Sequence, residues 1–319
     1  MAEDVRNSDE HWERRALEKV ALAAVQEQRR ARHWSIFFKL LLFIYLFALL
    51  FIALGWTGKK DGSSSGKHTA MVELRGVISS ESAASADNVV SGLQEAFKDK
   101  RTQGVILRIN SPGGSPVQAG HINDEIKRLR AKYPNIPFYA VVEDICASGG
   151  YYVAVAADQI YVDKGSIIGS IGVLMDGFGF TGLMDKLGVE RRLLAAGRNK
   201  GFLDPFSPIR EDQKQYAETM LNEIHQQFIT VVRQGRGKRL KETPELFSGL
   251  LWVGTRSIEL GLADGLGSVD YVARELIKAE DIVDYTQRET IAERVARRFG
   301  AAMAETFVKL ATINPMSIR

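Results

Sequence analysis

The chain has 319 residues, 45% of them hydrophobic and 25% charged, with a formal net charge of +3. That length holds one large or two modest domains, and so small a net charge gives no indication of a nucleic-acid partner. The single cysteine, Cys146, excludes a disulfide framework and any paired-cysteine metal or redox site, and no two of the five histidines stand at metal-ligand spacing. No metal or organic cofactor is expected.

Residues 1–33 are charged and helix-forming (HWERRALEKVALAAVQEQRRAR) and predict a short cytoplasmic helix without a core of its own. The run LLLFIYLFALLFIALGW, Leu40 to Trp56, carries no charge and is apolar all round, unlike a surface helix with one apolar face. Ile36, Phe37 and Phe38 lengthen it, Lys39 can snorkel, and Trp34 and Trp56 bracket it as interfacial aromatics do. The long segment before it argues for an uncleaved signal anchor at 34–57 rather than a cleaved signal peptide. Arg29, Arg30, Arg32 and Lys39 on the first flank, against Lys59, Lys60 and Lys67 on the second, place the N-terminus in the cytoplasm. In a bacterium the rest of the chain then lies outside the inner membrane. GKKDGSSSGK, 58–67, reads as a flexible linker, and the folded domain is expected over 68–290.

From there strands and helices alternate. Strands are predicted at Ala70–Ile78, Gly104–Asn110, Pro137–Glu143, Gln159–Val162 and Val189–Leu194. Helices are predicted at Ala86–Lys98, Val117–Lys132, Gly149–Ala157 and Glu211–Gly235. Short pieces fill Ser248–Ala279, and 291–319 predicts a helical tail. Such alternation defines an α/β class with a parallel sheet and helices packed on it. Sites in these sheets form at the carboxyl ends of strands.

Three glycine-bearing loops follow predicted strands. In NSPGGS, Asn110–Ser115, Gly113 and Gly114 let main-chain N–H groups turn toward a ligand. The loop lacks the lysine of a phosphate-binding loop and the GxGxxG spacing. In CASGG, Cys146–Gly150, Ser148 stands at a helix start, where the N–H of Gly149 and one from Gly113 or Gly114 fit an oxyanion hole. The competing role for Ser148 is simple helix capping. Cys146 is a rival nucleophile that sits deeper in the apolar strand.

A serine nucleophile needs a base. No histidine lies between His121 and His225, and His225 falls inside a long helix, so a Ser-His-Asp triad has little support. The third loop, AAGRNKGFLDPFSP, offers Lys200; Lys164 and Lys186 are the other lysine candidates. A lysine becomes a base when a dry site favours its neutral amine. Ser170, between glycines in GSIIGSIGV, has a hydroxyl that can orient such an amine.

Taken together, NSPGGS, ASGGYYVAVAAD, GSIIGSIGV, GRNKGFLDPFSP and WVGTRSIELGLADGLGS resemble, in order, the S49 peptidase family in its short, single-repeat form. The resemblance covers about His68 to Lys278. It implies a ClpP/crotonase-like α/β fold, Ser148 as nucleophile, Lys200 as general base and Ser170 as the serine that bonds the base. It implies Gly114 and Gly149, with Gly113 adjacent, as oxyanion-hole donors. It further implies degradation of remnant signal peptides by a homo-oligomer at a membrane, often with sites shared between subunits. The lysine loop is longer here than the form associated with some members. Two other readings use the same residues: a crotonase-like acyl-CoA enzyme, disfavoured by an outward-facing domain, and a non-catalytic membrane scaffold.

Overall fold

The computed structural model describes residues 2–53 and 66–288. The predicted tail, 291–319, lies outside the described residues, as does most of the predicted linker.

Helix α1, Ala2–Ala53, is continuous. The charged first segment and the apolar run are therefore one helix rather than two elements. Neither proline nor glycine interrupts it. Val25–Phe51 is long and apolar enough to cross a bilayer, and its side chains are not packed inside the chain.

Residues 60–288 form a separate compact unit. In chain order it runs β1 (His68–Arg75), α2 (Ala86–Lys98), β2 (Thr102–Ser111), α3 (Pro116–Lys132), β3 (Phe138–Ala147), α4 (Gly149–Ala154), β4 (Gln159–Val162) and β5 (Ile167–Gly169). Then follow α5 (Thr181–Leu187), α6 (Glu211–Arg236), β6 (Leu251–Val253), α7 (Gly254–Glu259), β7 (Gly265–Leu266), a helical segment over 269–277 and β8 (Ile282–Asp284). The sheet order is β6-β5-β3-β2-β1-β8, with β4 between β3 and β7. Every pairing is parallel except β5 with β6.

Alternation along the strands separates two faces. Val72, Leu74, Val105, Leu107, Ile109, Ala140 and Val142 face α2 and α3, meeting Val89, Leu93, Phe97, Ile122 and Ile126 in the main core. Each buried valine, leucine, isoleucine or phenylalanine here contributes about 1.5–3 kcal/mol. On the other face Ile106 and Val141 pack under Val272, Ala273 and Ile277. Helix α2 begins where Ser85 accepts the Asn88 N–H, and α3 where Ser115 accepts that of Gln118 with Pro116 in the first turn.

Two features of β3 position the site. Its first half pairs with β4 and its last three residues with β5, so one strand has two successive neighbours on the same edge. Its register against β2 also shifts, from Ile109 opposite Val142 to Ser111 opposite Cys146. Such irregularities are common where a strand ends beside a functional site.

Three expectations need correction. The predicted strand at Val189–Leu194 is not a strand: it is exposed throughout and pairs with none of the described strands, and strand geometry needs a neighbour to accept its bonds. It belongs to an exposed arm, 173–210, that also carries α5. The helix predicted at Gly149–Ala157 stops at Ala154. Finally, β5 replaces the turn expected after Lys164, and β8 closes the far edge of the sheet.

Candidate active site

Ser148 is the residue between β3 and α4. Its backbone lies at φ 50, ψ −124, in the left-handed half of conformational space, where a non-glycine residue costs about 1–3 kcal/mol. Three anchors hold it there. Its N–H donates to the Gly169 carbonyl at 2.8 Å, and its carbonyl accepts the Tyr152 N–H at 2.9 Å. On the third side Gly113 comes so near that a Cβ on it would stand 2.7 Å from the Ser148 Cβ. The capping role is not taken: the Ser148 side chain makes no cap hydrogen bond. The hydroxyl is half-buried and without a protein partner among the described residues.

The loop after β2 lies against this elbow. Gly113 has φ 99 and Gly114 φ 146, both difficult for side chains with a Cβ. A Cβ on Gly113 would lie 2.7 Å from the Gly149 N, and one on Gly149 would lie 3.3 Å from the Gly114 N. Only paired glycines allow two loops this close. The N–H groups separate by role. That of Gly113 donates to Ser111 Oγ at 3.2 Å, whereas neither Gly114 nor Gly149 donates a main-chain bond. Gly114 and Gly149 are therefore the free donors beside Ser148, and Gly113 contributes close approach. Because α4 is only six residues long, these are individual N–H groups rather than the positive end of a long helix.

Ser170 follows β5 directly. It too has a left-handed φ, 49, and its N–H is held by the Leu250 carbonyl at 2.7 Å. The Ser148–Gly169 bond places it on the segment facing the elbow. His225, on α6, is a buttress to this segment, with Nε2 at 3.1 Å from the Ile171 carbonyl oxygen. It does not bond Ser148.

Cys146 drops out as nucleophile. It is fully buried in β3, and burial alone pushes its thiol well above the usual range. The reactive thiolate is thereby suppressed. Lys164 and Lys186 are exposed, in a turn and on α5.

Lys200 lies in a turn of the exposed arm, its N–H bonded to the Gly197 carbonyl at 3.0 Å. Among the described residues no hydrogen bond joins Lys200 to Ser148 or Ser170: Ser148, Ser170, Gly113, Gly114 and Gly149 lie on segments bonded or packed to one another, whereas Lys200 is on the exposed arm. The arm displays Leu174 and Phe178, each 80% exposed, and Leu194, 97% exposed. It also roofs a cleft of about 1250 Å³ against the first turns of α6. Neither Ser148 nor Ser170 lines that cleft, so the cleft and the serine elbow are different places. Among the described residues no group of acidic, histidine or cysteine side chains could hold a metal ion.

Sequence reasoning missed Ser111, whose buried hydroxyl organises the glycine loop. The only signal was its place at the end of a buried strand.

A parallel α/β sheet with a strained serine elbow at a strand end, facing a glycine loop, defines the class: a serine-hydrolase type of α/β domain. Comparison with known proteins narrows it. The family model described as peptidase family S49 matches residues 130–283. A putative signal peptide peptidase SppA of Enterococcus faecium is 29% identical over 71% of this chain and 67% of its own length. A putative protease of Methanocaldococcus jannaschii is 33% identical over 62% of this chain and 64% of its own. A protein named Na(+)/H(+) antiporter NhaA, from Brucella melitensis, is 47% identical over 177 residues, which are 56% of this chain but 24% of that protein. The chain thus spans about a quarter of that relative's length, and the antiporter name describes a protein of which three-quarters lies outside the match. Residues 130–283 thus match peptidase family S49, and the relatives named as proteases support a serine-protease class.

Proposed function

We propose that the chain is a membrane-anchored serine endopeptidase that cleaves hydrophobic peptides, such as remnant signal peptides, through Ser148 and Lys200. The observation that carries this reading is the Ser148 elbow: a hydroxyl withdrawn from helix capping, held by a strained backbone beside two unused main-chain N–H groups. The neutral Lys200 amine takes the hydroxyl proton as Ser148 Oγ bonds to the peptide carbonyl carbon. The Gly149 and Gly114 N–H groups hold the resulting oxyanion. Protonated Lys200 returns the proton to the leaving amine, and the C–N bond breaks. Water then repeats the sequence on the acyl-enzyme and frees Ser148. Ser170 orients the amine.

A lysine serves as this base only when dry. We propose that a homo-oligomer supplies the dryness, packing the arm of 173–210 so that Lys200 reaches a Ser148 hydroxyl. The exposed Leu174, Phe178 and Leu194 support this, because apolar side chains on one segment favour a partner over water. The apolar part of α1 is the anchor, with the N-terminus cytoplasmic and domain 68–290 on the outer face of a bacterial inner membrane. Such tethering keeps the site near membrane-derived peptides.

The test is cleavage of a fluorogenic hydrophobic peptide by the full chain in detergent. Ser148→Ala and Lys200→Ala are each expected to lower kcat at least about 10³-fold with an unchanged circular-dichroism spectrum. Full activity in either variant removes that residue from the mechanism.

A further inference from the structure

Ser111 ends β2 with no solvent exposure. Its hydroxyl is engaged twice: it donates to the Gly76 carbonyl at 2.6 Å and accepts the Gly113 N–H at 3.2 Å. Gly76 directly follows β1, so this one hydroxyl ties the exit of β1 to the loop leaving β2. Main-chain bonds continue the zipper. Gly76 N–H donates to Asn110 O at 2.9 Å, Ile78 N–H to Gly113 O at 2.8 Å, and Ser115 N–H to Ile78 O at 2.8 Å.

The same residue also touches the elbow. Ser111 pairs with Cys146 across the sheet. A Cβ on Gly150 would stand 3.0 Å from the Ser111 carbonyl oxygen. Ser111 is therefore in contact with both loops that carry a free N–H, one loop holding Gly114 and the other Gly149. Two consecutive glycines have the greatest backbone freedom of any dipeptide. Gly113 and Gly114 have no side chains to hold them, and the Ser111 hydroxyl is the one side-chain group bonded to the main chain between them and β2.

We propose that Ser111 is a positioning residue that sets the direction of the Gly114 N–H toward the oxyanion formed at Ser148. It acts through the loop and does not touch the substrate. This rests on the serine-peptidase reading above. Losing an oxyanion donor outright costs about 10²–10³ in kcat, and misaiming one costs less. Substrate binding in the ground state leaves the donor unused, so KM is insensitive to it.

The experiment uses the full chain in detergent, a chromogenic peptide and a peptide aldehyde that adds to the serine hydroxyl. Ser111→Ala is expected to lower kcat about 10- to 100-fold, with KM within about 2-fold. Aldehyde inhibition is expected to weaken by the same factor as kcat/KM, since the hemiacetal carries the oxyanion. If Ser111→Ala melts early, Ser111→Cys, somewhat larger and a weaker hydrogen bonder, takes its place, with the kcat loss expected at a temperature where the circular-dichroism spectrum shows the variant folded. A folded Ser111 variant with wild-type kcat and aldehyde affinity overturns the proposal. So does a kcat loss with aldehyde affinity unchanged. Cleavage that persists in Ser148→Ala overturns the peptidase reading and this proposal together. An inactive Ser148→Ala beside a fully active Ser111→Ala overturns this proposal alone.

Discussion

Asp264→Asn is expected to weaken the folded domain by about 3–5 kcal/mol, the cost of leaving a buried charge without its partner. The magnitude follows from the contacts of one guanidinium. The Arg236 side chain has no exposure, whereas that of Asp264 is 13% exposed. Arg236 grips Asp264 with two parallel bonds of 2.9 Å, Nη1 to Oδ2 and Nη2 to Oδ1, and its Nε donates to the Gly261 carbonyl at 2.8 Å. The carboxylate also accepts the Ile160 N–H of β4 at 2.7 Å and Arg239 Nη1 at 3.2 Å. Asparagine keeps the shape but loses the charge, and its NH₂ turns a donor toward one of the guanidinium N–H groups. Against a total stability of about 5–15 kcal/mol the loss is large. Urea unfolding of the full chain in detergent, followed by tryptophan fluorescence, measures it as a lower midpoint at unchanged slope. The double replacement Arg236→Met with Asp264→Leu is expected to be more stable than Asp264→Asn alone, because no charge is left buried. A loss below about 1 kcal/mol for Asp264→Asn would refute the reasoning and mean that water reaches Arg236.

Acid weakens the same clamp. Burial raises the Asp264 pKa, but the hydrogen bonds and charges of Arg236, with the Ile160 N–H and Arg239, outweigh it and hold the carboxyl below the usual carboxylate range. The unfolded chain therefore binds the proton more readily. The stabilisation is complete above the unfolded value of about 3.9 and drains away as pH falls toward the folded one. Urea midpoints measured from pH 6 downward are expected to fall more steeply in this range for the wild type than for Asp264→Asn; parallel curves would refute it. Gly169→Ala tests the backing of the elbow: at φ 113 its new Cβ meets the Leu250 carbonyl oxygen at 2.8 Å and Trp252 Cδ1 at 2.9 Å. The expected cost is about 1–3 kcal/mol together with lost peptide cleavage, because the Gly169 carbonyl holds the Ser148 N–H. Unchanged midpoint and activity would show that the segment yields freely.

What the sequence disclosed depended on length and periodicity. β1 to β3, α2, α3 and α6 each bury a long regular face, and their limits fell within a few residues of expectation. β5 and β8 have three residues each, too few for a period, and exist because β3 and β1 offer open edges to them. At the other extreme, VERRLL has the composition of a strand and no edge to join. The motif WVGTRSIELGLADGLGS was legible as a family mark but not as a clamp. Its Asp264 holds Arg236 on α6, and the glycines Gly254 and Gly261 lie against the carbonyl groups of Asp163 and Arg239. NSPGGS disclosed two glycines without saying which N–H is free; that is decided by a hydroxyl bond from Ser111, which sequence spacing does not encode.

The strain at Ser148 and the parallel sheet have a common origin. A strand with one neighbour along its whole edge would carry the chain straight into a helix, with the serine capping it. β3 instead changes neighbour, from β4 to β5, and shifts register against β2 near the same place. The end of β3 is thus bonded on both edges by short, independent segments that continue past it, Gly169 on one side and the Ser111–Gly114 loop on the other. Between them they fix the Ser148 N–H and leave room beside its Cα only for glycine. A backbone so over-determined can hold a left-handed serine that an isolated turn would relax. The strain is carried by contacts that the hydroxyl does not share, so the side chain is free for chemistry while the main chain is locked.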